Sequence, residues 1–318
     1  MAAGPHHCCD HPRGSRADEP GARTDAVITR PGWLSVRQAE VPSLNGVLNI
    51  VDVGSRFEIE SLGRERVLLY VRPGPDPAQR IVSERLELGG AEAEEYETLT
   101  GRLTRLIVPP GRRTITYSAR VEVRRPLGIP ASAAPRLGDI HPAYLGEVLP
   151  SRYCPSDLIG PTALGLFGDG DRGALPERVA NWVRYNLRYL PGVSDTLTAA
   201  DETLLARAGV CRDFAHLTIA FLRALEIPAR AVAAYAPGVD PPDLHAVVEA
   251  DDGTGWRILD PTGMADPATL VRIATGRDAA EIAWATASGE VAIGPPVVWA
   301  RLVDTDGLGP VHLGEPQG

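Results

Sequence analysis

The chain has 318 residues, 44% of them hydrophobic, and a formal net charge of −9 from 41 acidic and 32 basic side chains. That length allows two domains with sizeable cores, and the acidic balance argues against nucleic acid or an anionic membrane as the main partner, because both need clustered basic surface. No lysine occurs, which fits the codon bias of a GC-rich bacterial genome and rules out self-cross-linking through lysine side chains.

The N-terminus shows no charged segment followed by an apolar core, and no apolar run reaches bilayer length, so a cytoplasmic protein is expected. Residues 1–40 carry His6, His7, Cys8, Cys9 and His11. Imidazole and thiolate suit zinc or copper, but adjacent cysteines chelate one ion poorly, so this stretch is expected to be a disordered tail without a metal. Four cysteines, two of them adjacent, make no disulfide framework.

From residue 41 the pattern turns to short strands, at 48–53, 57–60, 66–71, 81–86, 103–108 and 114–123. In the last of these, alternation puts Ile115, Tyr117, Ala119, Val121 and Val123 on one face. Residues 41–125 therefore predict an antiparallel β-sandwich. Residues 126–160 read as a Pro-rich linker or strap containing Pro150-Ser151-Arg152-Tyr153-Cys154, and Cys154, followed by Pro155 with no helix opening there, reads as structural.

Gly168-Asp169-Gly170-Asp171 lacks the further acidic positions of a calcium loop and reads as a turn and helix N-cap. Val179, Trp182, Val183, Leu187 and Leu190 then mark an amphipathic helix, with Trp182 in the core. The next helix opens at Gly209-Val210-Cys211-Arg212-Asp213-Phe214-Ala215-His216. Unpaired N–H groups in a first helical turn favour an anion, and a thiolate is the nucleophilic form of cysteine. Free cysteine is also a common space-filler, so the position alone does not decide. Gly209 is expected to supply special backbone angles, and Pro228 to stop the helix after Ile227. His216, five residues along, turns away from Cys211 and reads as a structural histidine. Arg212 and Asp213 read as structural or solvated, while Arg230 and Tyr235 are candidates to line a cleft.

Residues 243–250 and 256–263 flank a polar turn and predict a β-hairpin. If Ala250 pairs with Gly255, His245 faces Asp260 with β-carbons about 4.5–5.5 Å apart. A carboxylate beside one imidazole nitrogen fixes the tautomer and leaves the other to take a proton from Cys211. A one-residue slip would put the pair on opposite faces. Residues 271–281 are expected to close the core sheet and support Asp260, 291–303 to add a strand, and 304–318 to form a polar tail.

Gly-Val-Cys-Arg-Asp-Phe-Ala-His, then Glu226-Ile227-Pro228-Ala229-Arg230, His245-Ala246 and Asp260-Pro261-Thr262 resemble the transglutaminase-like superfamily of papain-related thiol enzymes. The resemblance is specific over residues 175–285. This chain departs from the family wording at Glu226 (Gly), Val247 (Trp) and Gly263 (Asn), and the change at Val247 bears on the substrate channel. The β-rich region before the core, the Pro-Ser-Arg-Tyr-Cys strap and Gly276-Arg277-Asp278 are also similar to segments of related proteins.

The resemblance implies Cys211 as nucleophile, His245 as general base and then acid, and Asp260 as the group that orients His245. The expected fold class is α+β, an N-terminal antiparallel β-sandwich followed by a papain-like, transglutaminase-like core over residues 161–303. The expected activity is acyl transfer on protein or peptide amides, without metal or organic cofactor. A cysteine protease or amidase, or a non-catalytic scaffold of the same fold, stands as the alternative.

Overall fold

The computed structural model describes residues 46–125, 137–251, 253 and 255–303. The His6–His11 cluster, the first part of the Pro-rich linker and the C-terminal tail lie outside them. The N-terminal region folds into strands β1 (Leu48–Ser61), β2 (Glu65–Leu69), β3 (Gln79–Glu87), β4 (Glu92–Glu97), β5 (Arg102–Val108) and β6 (Gly111–Arg124). β1 pairs with β6 along its whole length and β6 with β3, while β2, β5 and β4 form a second antiparallel sheet. Ile115, Tyr117, Ala119, Val121 and Val123 are all buried, as their alternation requires, and share one apolar core with Val67, Leu69 and Leu106 of the second sheet.

Two features depart from the sequence reading. β1 is one continuous strand, because Gly54 is a point of close approach and not a break: a Cβ there would lie 2.0 Å from the Trp299 ring. β4, with four glutamates in six residues, carries no apolar alternation and is held by pairing with β5.

The second half contains α1 (Gly160–Phe167), α2 (Leu175–Asn186), β7 (Arg188–Tyr189), α3 (Ala200–Ala206), β8 (Ala208–Gly209) and α4 (Cys211–Ala224). It continues through β9 (Ala229–Tyr235), β10 (Leu244–Asp251), β11 (Trp256–Leu259), β12 (Val271–Gly276) and α5 (Ala279–Ile282). The antiparallel sheet β11-β10-β9-β12 carries α4 against β9 and β10. Phe214, Leu217, Phe221 and Leu222 are buried on that helix, each contributing about 1.5–3 kcal/mol of burial. Among the described residues no helix is long and apolar enough to cross a membrane.

α4 ends earlier than Pro228 requires. Glu226 takes a left-handed conformation (φ +61°), and the N–H groups of Glu226 and Ile227 return to the carbonyls of Arg223 and Leu222. This is a Schellman ending. α2 also stops short of the expected Leu190, because Leu187 turns extended and Arg188–Tyr189 pair in parallel with Ala208–Gly209.

The chain then returns to the sandwich through β13 (Ala285–Ser288), β14 (Val291–Ile293) and β15 (Val297–Leu302); β13 pairs with β2, the other two with β1. β12 closes the core sheet as expected and is also clamped by the sandwich. Thr275 N–H donates to Thr100 O (2.8 Å), and the Gln79 side chain bonds both N–H and C=O of Arg272. Tyr235 does not line a cleft: fully buried, its hydroxyl donates to Val71 O at 2.7 Å and ties the core to the sandwich. Arg230 is likewise taken up, paired with Glu249 and stacked over Trp256 with 4.0 Å to the ring centroid.

Candidate active site

β8 delivers the chain to the start of α4, where Val210 is the N-cap and Cys211 the first helical residue, half-buried. One oxygen of the buried Asp213 carboxylate accepts from Val210 N–H (2.7 Å) and from the Ser194 hydroxyl. That carboxylate caps the helix and pins the 190–198 loop beside the cysteine. Gly209 is required by proximity, not by backbone angle: a Cβ there would sit 2.5 Å from Cβ of Asp213. Arg212 donates to Asp195 O (2.6 Å), a structural role.

The hairpin register differs from the expected one by two residues. Asp251 pairs with Trp256 and Val248 with Leu259. Continued past β11, that register sets Asp260 opposite Val247. A shift of two preserves the face, so His245 and Asp260 still meet, with His245 Nε2 3.1 Å from Asp260 Oδ2.

The Asp-Pro-Thr turn wraps the carboxylate. Oδ1 accepts from the N–H (2.9 Å) and hydroxyl (2.6 Å) of Thr262, and Oδ2 from the N–H groups of Met264 (3.1 Å) and Ala265 (2.9 Å). Gly263 follows with φ +66°, and the Arg184 guanidinium packs where its side chain would be. Val247 is fully buried in a small apolar cluster with Val232 and Leu270, so the departure from Trp there fills core.

Nε2 is engaged by Asp260, and the Cys211 side chain also acts on the same imidazole. Burial alone would lower the imidazole; the bonds to Asp260 and Cys211 outweigh it and raise His245 to about 9. Burial would raise the Asp260 carboxyl, but its bond to His245 and the positive ring hold it below the ordinary carboxylate range.

One residue of this site was not read from the sequence. The Tyr189 phenol is raised to about 12 by burial and by the charge of the neighbouring Cys211 side chain. Extending α2 to Leu190 hid it; the Tyr189–Gly209 pairing two residues before the cysteine puts it there.

The remaining candidates gather behind α4. His216 is buried and stacked on Tyr153 (centroids 5.1 Å apart, planes 1°), and its Nε2 accepts from Ala279 N–H at 3.1 Å. Asp278 does not support Asp260; it accepts from Tyr153 N–H (3.0 Å) and Ala280 N–H (2.9 Å), fastening the strap. Arg223 donates to Ala229 O, Leu149 O, Ser151 Oγ and Arg277 O. Cys154 is fully buried, and burial pushes its thiol up to about 12. Trp182 is half-buried between Phe167 and Phe221. Among the described residues no three His, Cys, Asp or Glu side chains gather as a metal ion would need.

Residues 168–261, which contain Cys211, His245 and Asp260, match the profile of the transglutaminase-like superfamily. A candidate cysteine protease from Cytophaga hutchinsonii is 31% identical, with a TM-score of 0.74 over 84% of this chain and 94% of that one. The chain belongs to the transglutaminase-like superfamily. Its α+β fold is that of a family of thiol enzymes. Uncharacterized mycobacterial proteins are also similar, one from Mycobacterium bovis at 29% identity over 212 residues, or 59% of this chain and 65% of the relative. Another, from Mycobacterium leprae, is 34% identical over 33% of this chain and 40% of its own length.

Proposed function

We propose that this superfamily member transfers acyl groups from protein or peptide amides through Cys211, His245 and Asp260. One observation carries the reading: a single buried imidazole bonds the Asp260 carboxylate through Nε2 and is held in its charged form by both Asp260 and Cys211. Cys211 Sγ gives up its proton to His245 and attacks the amide carbonyl carbon. When the C–N bond breaks, the His245 imidazolium protonates the leaving amine and a thioester remains. His245 then takes a proton from a second nucleophile, which displaces Sγ, and the thiol is restored.

Asp260 keeps the ring oriented and stabilises its charged form; the four donors of the 262–265 turn fix the carboxylate so that it cannot rotate away. A primary amine as second nucleophile gives transamidation, and water gives hydrolysis. The description of the Cytophaga protein favours water.

The test is a glutamine-containing peptide supplied with and without a primary amine. Ammonia release with amine incorporation supports transamidation, and ammonia release or peptide cleavage without incorporation supports hydrolysis. The signal is expected to disappear in Cys211→Ala. A peptide library left unchanged by the wild-type chain would favour a binding role for the fold instead.

A further inference from the structure

Arg184 is an exposed cation in the last turn of α2, and among the described residues no carboxylate pairs with it. Neighbouring arginines differ: Arg257 pairs with Glu177 of the same helix, and Arg230 with Glu249. We infer that the Arg184 guanidinium binds a carboxylate of the acyl donor, from an acidic side chain or a C-terminus, and so makes acidic peptides the preferred substrate class. This deepens the acyl-transfer reading above and rests on it.

The guanidinium lies against the triad's own turn. Gly263 is part of the turn that wraps the Asp260 carboxylate, and it follows Thr262, whose hydroxyl stands 3.4 Å from His245 Nε2. A Cβ on Gly263 would lie 2.1 Å from Cζ of Arg184, 2.4 Å from Nε and 2.5 Å from Nη1. With Cζ nearest and both nitrogens almost equally far, the guanidinium turns its flat face to the glycine. That contact uses none of its N–H donors, which lie in the plane of the group. The edge is left for a planar acceptor, and a carboxylate matches it with two parallel N–H···O bonds.

The segment that Arg184 heads leads to the nucleophile. Past Leu187 the chain enters β7, where Tyr189 pairs with Gly209, two residues before Cys211. Arg184 to Tyr189 therefore joins the Asp260 turn to the start of α4, a span of at most about 17 Å. A substrate of about five residues is long enough to reach from the thiol to the guanidinium. Arg188 is also exposed and without a carboxylate partner among the described residues. Side chains alternate along a strand, so Arg188 points away from Tyr189 and serves as a control for charge alone.

The test reads binding on the full chain carrying Cys211→Ala, so that no turnover is needed. The probes are short glutamine-containing peptides with one aspartate placed in turn at each position on either side of the glutamine. Each has a twin with asparagine for the aspartate. Each is also made with a free and an amidated C-terminus, which separates the two sources of the carboxylate. Thermal unfolding checks the fold of every variant.

At one placement the carboxylate peptide is expected to bind about tenfold more tightly than its neutral twin, on the scale of a hydrogen bond to a charged group. That gap should close in Arg184→Gln. It should also close in Gly263→Asn, which suits φ +66° but puts a Cβ where the guanidinium lies. Arg188→Gln removes the same charge and should leave the gap within about twofold. No gap at any placement overturns the assignment, and so does a gap that survives Arg184→Gln or that Arg188→Gln closes equally. A gap set by Arg184 on peptides that never acylate the wild-type chain keeps the anion site and overturns the acyl-transfer reading alone. Peptides that do not bind at all overturn both.

Discussion

Helix α4 separates two clusters made of the same residue types. In front of it stand Cys211, His245 and Asp260; behind it stand Cys154, His216 and Asp278. The front histidine bonds a carboxylate and a thiol and is raised to about 9. Behind, burial drives His216 down and holds it neutral, while its Nε2 accepts a backbone N–H. Cys211 is half-buried beside a phenol and an imidazole; Cys154 is fully buried near Ser151, Arg223 and Asp278, and burial pushes its thiol up. Composition does not distinguish the two sides. Solvent access and the partners of each imidazole do, a carboxylate for His245 and a backbone N–H for His216.

The sharpest way to break this contrast is to remove each sulfur in turn. Cys211→Ala is expected to lower turnover by about 10⁴-fold or more, as loss of a covalent nucleophile does. Cys154→Ala should leave turnover within about threefold and cost about 1–2 kcal/mol in urea unfolding. Equal effects on turnover would erase the distinction.

Asp260→Asn comes next. It should reduce turnover by about 10²- to 10⁴-fold, because the amide cannot hold the same tautomer or stabilise the imidazolium. On the proposed mechanism the general acid is lost as pH rises through about 9, the raised value of His245. Without the carboxylate that alkaline limb should move down toward the ordinary histidine value of about 6.5. The same sign applies to stability: the interactions that raise His245 contribute fully below its unfolded value and fade as pH rises through about 9.

Arg223 tests the rear cluster alone. Its buried guanidinium satisfies carbonyls of the strap, of β9 and of Arg277. Arg223→Met should cost about 2–4 kcal/mol in denaturant unfolding by stranding those acceptors, with activity per folded molecule retained. The smallest effect is a gain. Glu226 occupies the left-handed ending of α4, so Glu226→Gly is expected to stabilise by about 1 kcal/mol, read as a higher melting temperature with unchanged turnover.

Much of the front site was legible because its chemistry is local in sequence. Cys211 opens a helix, and His245 and Asp260 flank one turn, so a two-residue register error left them on the same face. Tyr189 was not legible: apolar spacing carried the helix on to Leu190, and only pairing with Gly209, twenty residues away, ends it at Asn186. Nor could β4 be read, since cross-strand pairing and not an apolar face holds it. Strands 48–53 and 57–60 could not be joined from the sequence, because the Trp299 that packs on Gly54 arrives from the other end of the chain. Two departures from family wording, Glu226 and Gly263, fall at left-handed positions, which explains why Gly or Asn suits them.

The most direct test of Cys211 as the acylated nucleophile is mass spectrometry of the native chain, quenched in acid shortly after mixing with p-nitrophenyl acetate. The absence of lysine keeps background acylation low. One acetyl group on Cys211 is expected, slowed in Asp260→Asn and absent in Cys211→Ala, with none on Cys154. Acetylation that spares Cys211, or proceeds equally at Cys154, would contradict the account.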